Sequence, residues 1–176
     1  AEPAAPGGSR YRILTLDRLL RVVRDADRPL RLLVETKHPT RYGAQVEQRL
    51  VAMLRRYGLD RPRADGREVS AMSFSGAAVR RVRSLAPEVP AVLLLDILPP
   101  WLRDGRLPAG VHIAGPGVRL VRSRPALVER LHRRGHRVYV WTVNTDEEID
   151  LVRRLGVAGI ITDRPGHVLG RLDGYH

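Results

Sequence analysis

Val138-Tyr139-Val140-Trp141-Thr142-Val143-Asn144, followed after one helical stretch by Gly156-Val157-Ala158-Gly159-Ile160-Ile161-Thr162-Asp163-Arg164-Pro165, is the sequence whose reading decides the fold. The first run is rich in β-branched and aromatic residues and reads as a strand over Val138 to Val143. Asp146 to Leu155 reads as a helix that stops at Gly156. Gly159 to Thr162 reads as the next strand. Arg164-Pro165-Gly166 then opens a short helix with proline near its first turn. A strand, a helix and a second strand form a βαβ unit, which implies a parallel pair.

The same rhythm extends upstream. Arg124 to Arg134 reads as a helix ending at Gly135, and Val111 to Ala114 as a weaker strand in a Gly-rich segment. Ala91 to Leu95 is a fully apolar strand, which implies burial on both faces. Gly76 to Leu85 is a helix with Val79 and Val82 inward, and Val69 to Phe74 is a short strand. Gln45 to Arg56 repeats apolar residues at Val46, Leu50, Met53 and Leu54, a helix face stopped by Gly58. Leu30 to Lys37 is a strand, and Thr15 caps a helix that runs through Val23. Residues 1–12, rich in Ala, Pro and Gly over Ala1 to Ser9, read as a flexible tail, and 13–176 as one domain. Six strands separated by helical patterns imply an α/β fold with a parallel sheet. The GxGxxG and GxxxxGK[ST] phosphate loops are absent. On the residues alone the choice stays between an open doubly wound sheet and part of a (β/α)8 barrel.

The bulk numbers fit an ordinary globular domain: 176 residues, 43% hydrophobic and 28% charged. With no cysteine, disulfides, thiolate metal sites and Cys nucleophiles are excluded. The longest apolar stretch, Val89 to Leu102, is broken by Asp96 and Pro99-Pro100, so no integral membrane segment of roughly 18 apolar residues is expected. No signal peptide is visible, and the chain starts at Ala1 rather than Met. The reading favours a cytoplasmic setting, with secretion requiring an upstream signal that was removed. The net charge is +12, but Arg pairs such as Arg55-Arg56, Arg80-Arg81 and Arg153-Arg154 recur once per helix instead of forming one block. At 5% aromatics there are too few rings for a base-stacking platform, so no nucleic-acid partner is expected.

Lys37 is the single lysine among 31 basic residues. It lies two positions after Glu35, and residues two apart on a strand share a face. A carboxylate and an ammonium side by side at the end of a buried strand are costly in a core and useful in a site.

The two C-terminal strands closely resemble the last two βα units of the glycerophosphodiester phosphodiesterase family, whose pattern there is V-x-x-W-T-V-N, then G-V-D-G-I-I-T-D-x-P. Ala158 stands where the family usually has Asp. Leu33-Val34-Glu35-Thr36-Lys37 looks like the family's L-x-I-E-[IL]-K strand, and Met72-Ser73-Phe74 like its next strand. Thr15 to Leu20 looks like the preceding P-T-L-x-E-x-L helix, without its Pro and with Arg18 for the usual Glu. The resemblance is in register from about Ile13 to Leu172. It implies a TIM (β/α)8 barrel of the phospholipase-C-like phosphodiesterase type, present here as an incomplete barrel of about strands three to eight. Such barrels usually need about 200 to 250 residues. The family's His-Arg-Gly motif, Glu-x-Asp pair and His-Asp motif are not found in this sequence.

The resemblance further implies metal-dependent hydrolysis of a glycerophosphodiester to glycerol 3-phosphate and an alcohol. The cofactor would be a divalent metal, Ca2+ or Mg2+, which prefers oxygen ligands, held weakly here. Glu35 matches one of three metal-binding carboxylates, Lys37 matches the phosphate-contacting lysine, and Trp141 could form an apolar wall beside the glycerol. None of the acid/base histidines is present, so this chain alone is expected to be inactive or very weak. The alternative is a non-catalytic anion-binding or interaction module that pairs with another chain at exposed sheet edges. A third reading, nucleic-acid or membrane-surface binding driven by charge, predicts steep weakening with salt. Among the remaining candidates, Asn144 is expected to cap the helix at Thr145-Asp146, Asp163 to tie down the turn before Pro165, and Ser73 to be satisfied by a neighbouring strand. His132 and His136, spaced i, i+4, are a metal pair disfavoured by the surrounding arginines, and His38 is a site-rim candidate.

Overall fold

The computed structural model describes residues 13–173; the expected tail at 1–12 lies outside them. The elements run α1 (Leu16–Asp25), β1 (Arg31–Glu35), α2 (Gln45–Arg56), β2 (Glu68–Ser73), α3 (Gly76–Leu85), β3 (Ala91–Leu95), a 3-10 turn (Pro100–Leu102), β4 (Ile113–Pro116), α4 (Val118–Ser123), α5 (Ala126–Arg133), β5 (Arg137–Val140), α6 (Asp146–Arg154), β6 (Gly159–Ile160) and α7 (Pro165–Asp173). All six strands are parallel and pair in chain order, β1-β2-β3-β4-β5-β6. A doubly wound sheet would reverse its order at a switch point. No reversal occurs here, so the sheet curls as part of a barrel.

Side-chain alternation makes the curl visible. In β3, Ala91, Leu93 and Leu95 join the outer core with α5 (Leu127, Val128, Leu131), α6 (Ile149, Val152) and Val168 of α7. A second outer cluster packs α1, α2 and α3 on Val69 and Ala71 of β2. Val92 and Leu94 point the other way, into a separate cluster with Ile113 of β4 and Tyr139 of β5. Leu33, Met72, Trp141 and Ile161 border it. That inner cluster draws on strands from one edge of the sheet to the other, as a barrel interior does. It is tight: a Cβ on Gly115 would come within 2.7 Å of Leu94 Cδ2, and one on Gly159 within 2.7 Å of Tyr139 Cδ1. Residues of both outer strands, Leu32 and Leu33 of β1 and Gly159 and Ile160 of β6, line one cavity of about 260 Å3. The two open edges thus face a common interior.

Local signals explain the elements. Thr15 accepts from Arg18 N at the start of α1. Ser75 does the same for α3 from Ala78 N. Gly58 and Gly156, at φ +63° and +64°, end α2 and α6 in the left-handed conformation that glycine tolerates. The strands expected over Val111–Ala114 and Val138–Val143 run instead over Ile113–Pro116 and Arg137–Val140, and two helix readings need correction. The helix expected over Arg124–Arg134 begins later, at Ala126 behind Pro125, and a separate helix, α4, precedes it. The helix after Asn144 is capped by Thr145, which forms a reciprocal capping box with Glu148.

Candidate functional site

Parallel strands running in one direction bring their C-terminal ends to one mouth, where such barrels carry their chemistry. Glu35 ends β1 on the same face as inward Leu33. Lys37 continues that face, and its Nζ lies 2.8 Å from Glu35 Oε1. The ammonium is 81% exposed and the carboxylate 21%. The contact lacks hydrogen-bond geometry, and Oε1 is a buried oxygen with no hydrogen-bond donor. A buried carboxylate oxygen left in that state fits a ligand from outside the described residues. It does not complete a metal centre, because the described residues contain no group of three or more His, Asp or Glu placed to hold a cation.

On the far side of the mouth, Trp141 bridges to Gly117. Its Nε1 donates to Gly115 O at 2.6 Å, which fixes the indole plane. Phe74, just past β2, meets it edge to face at 5.3 Å and 87°. Phe74 is 48% exposed, so the pair presents an apolar wall to solvent. A cavity of about 380 Å3 runs from Trp141 past Gly117 to Asp96, Arg119, Asn144 and Glu148. Asp96 follows inward-facing Val92 and Leu94 at the strand period of two, a signal that could have flagged it from sequence.

Asn144 does not cap a helix; it fastens two loops of the mouth. Its Oδ1 accepts from Thr162 Oγ1 and Asp163 N, and its Nδ2 donates to Asp163 Oδ2, each at 3.0 Å. Thr162 Oγ1 in turn accepts from Arg164 N at 2.9 Å, so threonine holds the turn before Pro165 while Asp163 anchors Asn144. Ser73 Oγ donates to Thr36 O at 2.7 Å, the neighbouring-strand bond expected of it.

The histidine candidates are absorbed elsewhere. His38 Nε2 lies 2.6 Å from Oε1 of fully buried Glu47. Arg81 donates to the other oxygen of Glu47. Burial pushes the Glu47 carboxyl up, but the His38 and Arg81 hydrogen bonds outweigh it and hold its pKa below the usual range. His38 is therefore paired with a buried carboxylate instead of standing free. His132 closes α5, whereas His136 lies beyond Gly135 (φ +74°), so the two do not share a helix face. His136 instead pairs with the His112 ring at 6.4 Å. Burial first, then the nearby His112 and Arg134, lower its pKa.

Residues 2–167 match the profile of the glycerophosphoryl diester phosphodiesterase family. The chain is 43% identical over 163 residues to a Mycobacterium tuberculosis protein described as "Probable glycerophosphodiester phosphodiesterase 1", covering 92% of this chain and 59% of that protein. It thus spans well under two thirds of that relative's length. Its fold is similar to that of a Parabacteroides distasonis glycerophosphodiester phosphodiesterase, with TM-score 0.73, 20% identity, and 91% of this chain and 64% of the other covered. It is also similar to an Oleispira antarctica phosphodiesterase solved in complex with the product sn-glycerol-3-phosphate, with TM-score 0.66, 16% identity, and 82% and 56% covered.

Proposed function

The chain belongs to the glycerophosphoryl diester phosphodiesterase family, and from that premise we propose that it holds the phosphate-binding part of a glycerophosphodiesterase mouth and lacks the part that breaks the bond. The observation that carries this reading is the Glu35–Lys37 pair, with its exposed ammonium and its carboxylate oxygen short of a donor. A phosphodiester anion needs its charge neutralised, and its leaving alkoxide needs a proton. Lys37 supplies the first by pairing with a non-bridging oxygen. Glu35 supplies one ligand for a divalent cation, Ca2+ or Mg2+, whose role would be to stabilise charge on the phosphoryl oxygens. One carboxylate is far below the six or more oxygens a Ca2+ ion takes, so binding to this chain is weak. The Trp141–Phe74 wall fits the apolar face of glycerol. The second requirement, a proton donor, is not met by His38, the histidine next to Lys37, because it is committed to Glu47.

The test is hydrolysis of glycerophosphocholine with added Mg2+ or Ca2+. The expected result is no turnover above background. Metal-dependent turnover abolished by Glu35→Ala would overturn the inactivity proposal while supporting Glu35 as a ligand. A second reading, an anion-binding or interaction module that pairs with another chain, is favoured by β1 and β6 standing at the edges of the sheet among the described residues. It predicts glycerol 3-phosphate binding or stable association with another chain in the absence of turnover.

A further inference from the structure

The crossover from β3 to β4 contains no α-helix, only the 3-10 turn Pro100–Leu102. Leu102 is fully buried and Leu98 packs on the outer core, so the segment is anchored. Between and beside these anchors, Ile97 is 74% exposed and Trp101 57% exposed. Pro99 and Pro100 fix their own φ at the centre of this stretch. Large apolar side chains held out on an anchored segment mark a contact surface more than a solvated loop does.

The charge around them has one sign in excess. Arg119 and Arg124 line a cavity of about 350 Å3 together with Ile97 and Leu98. Arg103 follows the 3-10 turn. Among the described residues, none of these three guanidinium groups has a side-chain hydrogen bond or ion pair. Asp96 is the one acid of that cavity. Nearby Asp104 is already engaged by Arg106 and Arg134. The surface lies on the rim of the mouth, since Asp96 and Arg119 also line the cavity beside Trp141. β3 and β4 are the middle strands of the six, so a chain added at the open β1 or β6 edge would not cover it.

We propose that this rim docks on an anionic phospholipid bilayer, with Ile97 and Trp101 entering the head-group region and Arg103, Arg119 and Arg124 pairing with lipid phosphates. Tryptophan favours the water–lipid boundary because it joins an apolar body to a polar N–H. Arginines reach phosphates from there and respond to the negative surface potential. A nucleic acid would use the charge but offers nothing to isoleucine, which has no π-face for stacking. Docking would turn the mouth toward lipid-borne phosphodiesters. It is measured without turnover, so it can fail or stand independently of the function proposed above.

The experiment is sedimentation of the 176-residue chain with phosphatidylcholine vesicles, with and without about one third phosphatidylglycerol, combined with tryptophan emission. The chain has two tryptophans, so Trp141→Phe leaves Trp101 as the sole reporter. The expected result is binding to the anionic vesicles, a blue shift of Trp101 emission, and about ten-fold weaker partitioning of both Ile97→Asp/Trp101→Asp and Arg119→Glu/Arg124→Glu. These side chains are exposed, and circular dichroism checks that the variants stay folded. The proposal is overturned by absent binding to anionic vesicles, by binding that the Ile97/Trp101 variant retains in full, or by sedimentation with no change in Trp101 emission. The last two would mean diffuse charge or adhesive sheet edges.

Discussion

Glu35 and Glu47 stand at the two ends of the β1–α2 connection, and their surroundings are opposite. Glu47 is fully buried, yet each of its oxygens has a partner, His38 on one and Arg81 on the other. Glu35 is more exposed, yet its Oε1 is enclosed without a hydrogen-bond donor among the described residues, and its ion-pair partner is a largely exposed lysine. The buried carboxylate is finished and the mouth carboxylate is not. Buried charge that is fully satisfied holds a loop in place, whereas charge left short of partners at a strand end marks where something else is meant to bind. The two are linked through the chain, because His38 follows Lys37 directly and its bond to Glu47 sets how the Lys37 backbone leaves β1.

The largest effect should fall on the finished site. Glu47→Ala leaves Arg81 beside an empty buried position and should cost about 3–5 kcal/mol, read as a large fall in the midpoint of urea unfolding. Glu35→Ala should shift that midpoint little, within about 1 kcal/mol. Equal losses for the two would erase the contrast.

A pH series sharpens it next. The folded Glu47 carboxyl has a depressed pKa. Its contribution is therefore present above the ordinary glutamate pKa of about 4.3 and fades as pH falls through its lower folded value. Glu47→Gln should flatten the acid limb of the stability profile. His136 works in the opposite protonation sense. Its lowered folded pKa means the unfolded chain takes up the proton first, so stability drops as pH falls below the free-histidine value of about 6.5. His136→Gln should remove that neutral-range slope and nothing at the mouth.

The smaller effects are on binding. Lys37→Ala should weaken glycerol 3-phosphate binding about ten-fold, the loss of one charge-assisted contact, with unchanged unfolding. Trp141→Phe keeps an apolar wall and loses the Gly115 anchor, and should cost about 1 kcal/mol of stability.

Much of the scaffold was legible because period and stop signals agree with the fold. α2, α3 and β3 have the bounds read from sequence, Gln45–Arg56, Gly76–Leu85 and Ala91–Leu95. α4 was missed because its six residues sit between Gly117 and Pro125 with too few turns to show a helical period. The choice between a barrel and a doubly wound sheet could not come from local pattern, since both give buried parallel strands. The family resemblance implies the barrel, and strand order, a non-local property, bears it out. At the site, Glu35 and Lys37 could be paired by the strand period alone. The capture of His38 by Glu47 could not, because it depends on α2 folding back over the end of β1. Asn144 looked like a cap because it precedes a helix. Thr145 won that role with Glu148 three residues on, which freed Asn144 to lock Thr162 and Asp163.

The central claim, a mouth that binds phosphate and cannot break its ester bond, is tested most directly by phosphorus NMR of the chain incubated with glycerophosphocholine and Mg2+. The account predicts a phosphodiester resonance that broadens with added protein, loses the broadening in Lys37→Ala, and never gives way to a phosphomonoester signal. A phosphomonoester peak that grows with time and disappears in Glu35→Ala would contradict it.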